Sequence, residues 1–282
     1  MSVPKSLDLP PGVEPVTAVG PDGDIAMLSA KTRGPRRGHI LLIPGWTGSK
    51  EDFTPVLPLL AHAGFDVDAY DQPGQYESAP GSDYSLEGYA RTALWLVDAA
   101  GGSSHVLGHS FGGLVAQRAA VLRPTAIASL GLLCTGPGAL GDTVTRPLQR
   151  LAAALGKVPL LQLHQLREQG IKRPAQITAF LARRFTSNDA ASLKAMTQLL
   201  IDAPDIIAEV AAARVPVWVG RGADDDAWPH EIQDAMARRL GTEVLVVPAS
   251  GHSPAVENPV RLVEDWLPFL QRHSDVDGPE VH

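Results

Sequence analysis

Val106-Leu107-Gly108-His109-Ser110-Phe111-Gly112-Gly113-Leu114-Val115 is the stretch on which the reading of this chain turns. An apolar run ends at Leu107, and apolar residues resume at helical spacing after Gly112. The pattern predicts a strand, a tight turn and a helix, with Ser110 at the point of the turn. Glycine at Gly108 and Gly112 lets backbone close up where a side chain would collide. The hydroxyl of Ser110 then stands clear of the sheet, within reach of a base and a substrate. Gly-x-Ser-x-Gly between strand and helix is the pattern of a nucleophile elbow. Alone it reads equally well as an ordinary glycine-rich turn, so the rest of the chain must supply the other parts.

Working outward from the turn, apolar runs mark the remaining strands. His39–Ile43, Phe65–Tyr70, Ser104–Leu107, Ala126–Leu133, Val215–Val219 and Glu243–Val247 are short and largely apolar, as strands covered on both faces are. Val16–Val19 and Asp24–Ser29 flank Pro21-Asp22-Gly23 and predict a hairpin. Helices are expected between these runs. One opens at Thr54-Pro55 and stops at Gly64; one is capped by Ser85, with Leu86, Tyr89, Ala93, Leu96 and Val97 inward. Others cover Phe111–Leu122 and Pro229–Leu240, and a last one opens at Asn258-Pro259. Alternating strands and helices give an α/β fold with a mostly parallel central sheet. Residues 16–135 and 214–272 make the core, interrupted by a helical insertion over 136–213. Residues 1–15 are proline-rich and expected as a flexible arm, and 273–282 as a polar tail.

Composition bounds the function. The chain has 282 residues and a net charge of -7, which does not suit a nucleic-acid binder. One cysteine, Cys134, excludes an internal disulfide and a thiolate metal cluster, and fits a reducing, cytoplasmic setting. The N-terminal stretch has no apolar core of a signal peptide, and no run approaches a membrane span. No metal and no cofactor is called for, and the expected partner is a small ester or acyl substrate. Oligomeric state is not encoded in any pattern found here.

A serine hydroxyl is a poor nucleophile at neutral pH and needs a base, which in turn needs an orienting carboxylate. The chain has nine histidines. His252 lies in the loop Pro248-Ala249-Ser250-Gly251-His252-Ser253-Pro254, directly after a predicted strand, where parallel sheets display their chemistry. His109 sits in the turn itself and is expected to pack beside it. His39, His62, His105, His164, His230, His273 and His282 read as surface or helix-end residues. The loop Gly220–Pro229 offers three consecutive carboxylates, Asp224, Asp225 and Asp226, and the residues alone do not separate them. Two backbone donors are needed for a developing oxyanion. The N–H of Phe111 follows the serine, and the N–H of Trp46 lies in Pro44-Gly45-Trp46-Thr47-Gly48; Pro44 has no N–H to give. Trp46, Phe111 and Trp228 are candidates to line an apolar substrate pocket.

These features together resemble the α/β-hydrolase fold family, of the esterase, lipase and C–C bond hydrolase type, over roughly Val16 to Leu270. Gly108-His109-Ser110-Phe111-Gly112-Gly113 resembles the family's Gly-His-Ser-x-Gly-Gly. Gly222-Ala223-Asp224-Asp225-Asp226-Ala227-Trp228-Pro229 resembles its Gly-x-x-Asp-x-x-x-Pro, and that alignment selects Asp225. Gly251-His252 with Glu257-Asn258-Pro259 resembles its closing Gly-His and Glu-x-Pro. The resemblance implies a Ser110–His252–Asp225 triad, with the insertion in the place of the family's cap. Two loops depart from the pattern. Pro44-Gly45 stands where His-Gly is usual, and the loop after Asp71 lacks the usual arginine and second glycine. Serine in place of aspartate argues against epoxide hydrolase and haloalkane dehalogenase chemistry.

The implied activity is hydrolysis of a carboxylic ester or related acyl bond of a small, apolar substrate. Lactone, thioester, amide and C–C bond cleavage use the same triad, as does a cofactor-free peroxidase-like reaction. A slow or inactive member acting as a ligand-binding protein is the alternative from another class. Between Leu140 and Ile201 there are nine basic and three acidic residues, a surplus of six positive charges. That surplus is either the solvated side of amphipathic helices or a surface that attracts an anionic substrate.

Overall fold

The computed structural model describes residues 2–140 and 142–274. Eight strands form one sheet: β1 (Val13–Gly20), β2 (Gly23–Ala30), β3 (Gly38–Ile43), β4 (Phe65–Tyr70), β5 (Ser104–His109), β6 (Ile127–Leu133), β7 (Val217–Gly222) and β8 (Val244–Val247). Their order across the sheet is β1-β2-β4-β3-β5-β6-β7-β8. The hairpin β1–β2 pairs antiparallel, as does β2 with β4, and every pair from β4 to β8 is parallel.

Side chains alternate across a strand, so a strand buried on both faces must be apolar throughout. β3 shows the consequence. Ile40 and Leu42 enter one core cluster, Leu41 and Ile43 the other, and all four are fully buried. Burial of one such side chain contributes roughly 1.5–3 kcal/mol. The first cluster is closed by α2 (Leu86–Ala99) and α3 (Phe111–Leu122), packed against each other, and by α8 (Ile207–Ala212) and α9 (His230–Arg239). The second is closed by α1 (Leu57–His62) and α11 (Pro259–Arg272), with the short α10 (Pro254–Glu257) before it. Between β6 and α8 the chain forms α4 (Asp142–Ala154), α5 (Leu160–Glu168), α6 (Ala175–Thr186) and α7 (Ala190–Asp202).

Several local expectations are corrected. The helix expected from Thr54 starts at Leu57 instead, preceded by a 3-10 turn at Lys50–Phe53. Pro58 therefore lies in the first turn of α1, where a missing N–H costs nothing. The arm is not loose: β1 begins at Val13 within it, and Ser2 is buried. His39, His105 and His164 are not surface residues but buried ones. Of the expected tail, His273 and Ser274 close α11, with the Ser274 hydroxyl donating to the Leu270 carbonyl; residues 275–282, His282 included, lie outside the described residues.

Candidate active site

Four parallel strands deliver the candidate residues to one end of the sheet. β5 ends at His109, and the chain turns at Ser110 with φ 54° and ψ −120°. This left-handed conformation is costly for a residue with a side chain, and the surroundings hold it in place. The Ser110 N–H donates to the Leu133 carbonyl at 2.9 Å, and its own carbonyl accepts from Gly113 N–H and from Thr135 Oγ1, both at 2.8 Å. A Cβ on Gly108 would sit 2.1 Å from the Gly112 carbonyl oxygen, and one on Gly112 would sit 2.3 Å from that of Ile43. The two glycines are thus needed for the close approach of β5, α3 and β3.

β8 leads to His252 and β7 to Asp225. His252 Nε2 lies 2.9 Å from Ser110 Oγ, and its Nδ1 lies 2.8 Å from Asp225 Oδ1. The structure also separates the three aspartates: Asp225 is buried, while Asp224 and Asp226 are exposed. Burial pushes the Asp225 carboxyl upward. The hydrogen bond and charge of His252, with donors from Ala227 N–H and the Gln233 amide, outweigh it and hold the group down at about 2. Asp225 is therefore an anion at neutral pH. A carboxylate accepts, so the Nδ1 of His252 carries the proton and Nε2 is left to accept from Ser110.

His109 lies beside this group without joining it. Burial, and next the nearness of His252, push its imidazole down to about 3. It is neutral, and its Nε2–H donates to the His252 carbonyl at 2.6 Å. Cys134 follows β6, buried, with Sγ 4.0 Å from the Gly251 carbonyl; burial, then the nearby Asp225 charge, keep its thiol protonated. The possible ligand atoms of His109, Cys134 and His252 lie within 4.8 Å of one another, making the single such group among the described residues. They fit a metal poorly, because the His252 ring is engaged by Asp225 and Ser110, His109 holds a carbonyl, and the thiol keeps its proton.

Ser110 and His252 open into a cavity of about 250 Å³. Its lining includes the apolar side chains of Trp46, Leu140, Leu148, Leu200 and Trp228 together with Ser2, Gly45, Gly48 and Asp52. Trp46 is fixed from above by its indole N–H, which donates to Thr197 Oγ1 of α7 at 3.0 Å. From below, the Gln72 amide donates to the Pro44 carbonyl at 2.9 Å. The N–H groups of Trp46 and Phe111 have no acceptor among the described residues. The Phe111 side chain, expected in the pocket wall, is instead core: it is fully buried and meets the Tyr89 ring edge-on at 5.7 Å. The loop that lacks the family's arginine finds its cation elsewhere, with Lys50 Nζ 2.8 Å from Asp71.

The basic residues of the insertion divide. Arg184 is buried and paired with Asp52, Arg183 donates to the Tyr76 hydroxyl, and Arg173 pairs with Glu168. Arg167 lies over the rings of Trp46 and Phe185. Arg146, Arg150, Lys157, Lys172 and Lys194 remain exposed. Arg184 thus holds structure together and cannot draw an anion from solution.

Sequence reasoning missed Thr135, Gln233, Gln72, Thr197 and Ser2. Thr135 alone had a local signal, standing two residues past a predicted strand.

Residues 40–266 match the Alpha/beta hydrolase family, and the chain belongs to it. RutD of Variovorax paradoxus, a presumed carbamate hydrolase by name, is 29% identical over 263 residues, 88% of this chain and 97% of its own. A pimeloyl-(acyl-carrier protein) methyl ester esterase of Neisseria meningitidis is 26% identical over 247 residues, 82% of this chain and 76% of its own. A structure from work on carboxylesterases of Nitrososphaera gargenis superposes with a TM-score of 0.76 at 17% identity, covering 92% of this chain and 98% of that one. The protein is an enzyme of this family, and among the described residues no helix is long and apolar enough to cross a membrane.

Proposed function

We propose that this enzyme hydrolyses carboxylic esters of small, apolar acyl groups through an acyl-enzyme on Ser110. Ser110 Oγ attacks the ester carbonyl carbon as its proton passes to His252 Nε2. The carbonyl oxygen, now negative, accepts from the N–H groups of Trp46 and Phe111. Asp225 holds the imidazole in its tautomer and balances the charge it gains. The tetrahedral adduct collapses, and the leaving alkoxide takes the proton from His252. Water then gives a proton to His252 and attacks the acyl carbon; the second collapse returns the proton to Ser110 and frees the acid. Residues 136–213 act as a cap over this chemistry, and the acyl group lies against Leu140, Leu148, Leu200 and Trp228.

One observation carries the reading: the unbroken chain from Ser110 through His252 to a buried carboxylate, with the serine facing the cavity. Relatives named for cleaving ester and carbamate bonds support an acyl substrate. A fluorophosphonate probe with a panel of acyl esters tests it. One equivalent of label, placed on Ser110 and lost in Ser110→Ala, with turnover blocked in proportion, is the expected result. Rapid labelling with no turnover across the panel overturns it in favour of a ligand-binding member.

A further inference from the structure

We propose that residues 2–7 form a strap closing the leaving-group end of the cavity, so that this segment selects esters of short alcohols. The inference rests on the cavity being the site of ester hydrolysis. Its first ground is position. Ser2 is 4% exposed and lines the same cavity as Ser110 and His252. Its hydroxyl lies 2.8 Å from that of Ser253, the residue after His252.

The second ground is that the strap is fastened by three contacts, to the His252 loop and helix unit and to α6. Lys5 Nζ donates to the Glu257 carbonyl at 2.9 Å, on the same loop-and-helix unit as His252. Val3 and Leu7 pack on the cluster of Tyr76, Ile177, Phe180 and Leu181, largely α6. The Ser2 carbonyl accepts from Arg184 Nη2 at 2.6 Å. Arg184 is 0% exposed, and its Nη1 donates to Asp52 Oδ1 at 2.6 Å and to Ser49 Oγ at 3.3 Å. A buried guanidinium is costly unless its donors are met; here Nη1 and Nη2 find these acceptors, while Nε has none among the described residues. One of its acceptors is backbone of the strap, so α6, the Ser49–Asp52 turn and the strap hold one another in place.

The third ground fixes which part of the substrate meets the strap. His252 delivers its proton to the departing alcohol, so that alcohol must lie on the His252 side of the reacting carbon. Ser2 touches the residue after His252, and in the proposed mechanism the acyl group lies against Leu140, Leu148, Leu200 and Trp228. The strap therefore borders the alcohol and not the acyl chain. A wall fastened at this many points does not yield to one added methylene.

The test is kinetic, on the full chain, on a chain lacking residues 2–7, and on Ser2→Gly and Ser2→Phe. One ester series keeps the acyl group and lengthens the alcohol from methyl to hexyl; the other keeps methyl and lengthens the acyl group over the same range. In the full chain kcat/KM falls from methyl to hexyl alcohol by about tenfold or more. Removing residues 2–7, or Ser2→Gly, raises the hexyl-to-methyl ratio by about tenfold, and Ser2→Phe lowers it by about as much. The ratio along the acyl series moves by less than about threefold, which distinguishes a local wall from general loosening. The two point variants keep the strap in place and decide the matter if the shortened chain does not fold. An alcohol ratio that stays within about threefold in every folded variant, or an acyl ratio that moves with it, overturns the inference and leaves hydrolysis at Ser110 standing. Absence of Ser110-dependent turnover of either series in the full chain overturns both.

Discussion

The two ends of β5 each carry a serine, and each serine is hydrogen-bonded to a histidine that is bonded to an aspartate. At the carboxyl end the chain runs Ser110–His252–Asp225. At the amino end His39 Nδ1 lies 2.7 Å from Ser104 Oγ, and His39 Nε2 lies 2.9 Å from Asp68 Oδ2. Residue types and distances are nearly the same. The ring nitrogens are exchanged, His39 facing serine with Nδ1 and His252 with Nε2, and the backbone differs. Ser104, His39 and Asp68 lie within strands, in extended conformation, where sheet pairing engages the backbone. Ser110 stands in a left-handed turn, beside N–H groups of Trp46 and Phe111 that the ladder does not use. In the proposed mechanism a hydrogen-bonded Ser-His-Asp chain is not enough; the carboxyl end adds a hydroxyl turned out of the sheet and two N–H groups placed to receive an oxyanion.

Exchanging the serines gives the largest contrast. Ser110→Ala is expected to lower kcat/KM for a good ester by about 10⁶-fold, because only binding and the oxyanion donors remain. Ser104→Ala should leave kcat/KM per folded molecule within about twofold, since it meets no substrate. Steady-state assays on protein free of host esterases check both, and a large loss in Ser104→Ala breaks the comparison.

The carboxylates come next. Asp225→Asn should cost about 10⁴-fold in kcat, through the wrong tautomer at His252. Asp224→Asn and Asp226→Asn, both exposed, should stay within about threefold. Equal losses in all three variants would falsify the assignment of Asp225.

At the amino end the expected readout is stability. His39→Ala leaves the buried Asp68 without its main donor, and an unmet buried polar group costs roughly 1–3 kcal/mol or more when charged. The Lys31 ammonium at 3.7 Å compensates little, being mostly exposed. Urea denaturation should show the loss while kcat of the folded enzyme is unchanged.

The smallest effect concerns acid. Burial holds His105 down to about 4 and His109 to about 3, so one neutral buried histidine lies at each end of the strand. The unfolded chain protonates both near pH 6.5, above their folded values, and so binds more protons in that interval. Their stabilisation is complete above about pH 6.5 and falls by about 1.4 kcal/mol per pH unit for each as pH drops, down to about pH 4 for His105. Asp68 and Asp225 act lower, as pH falls below the ordinary aspartate value. His105→Gln should lower the slope between pH 6.5 and 4.5 by about 1.4 kcal/mol per pH unit in urea titrations. An unchanged slope would show that His105 does not carry it.

The sequence made the strands legible because burial on both faces writes itself as an unbroken apolar run. Ser110 and His252 are readable because each follows such a run directly, and the same holds for the loop of Asp224, Asp225 and Asp226; choosing Asp225 among the three needs the family resemblance. The rest was hidden for two physical reasons. Some contacts span most of the chain: Arg184 and Ser2, or Trp46 and Thr197, have no local pattern that announces them. Other features lie in backbone torsions that glycine did not mark. Thr47, Ser110, Cys134 and Ala249, with φ of 55°, 54°, 50° and 50°, follow β3, β5, β6 and β8, and none is glycine. The Phe111 side chain is hidden for a related reason: its place beside the serine suggests a pocket residue, but the first turn of α3 points its ring into the core.

The chain's single cysteine has a practical consequence. Cys134 is 0% exposed and keeps its proton, so it offers no thiolate to a maleimide or an iodoacetamide in the folded protein. A cysteine introduced at Lys157 or Lys194, both exposed on the insertion, would be the one reactive sulfur. Fluorophores or spin labels could then be attached at a chosen site without deleting a native thiol, and the distance from α7 to a reporter on the sheet followed during turnover.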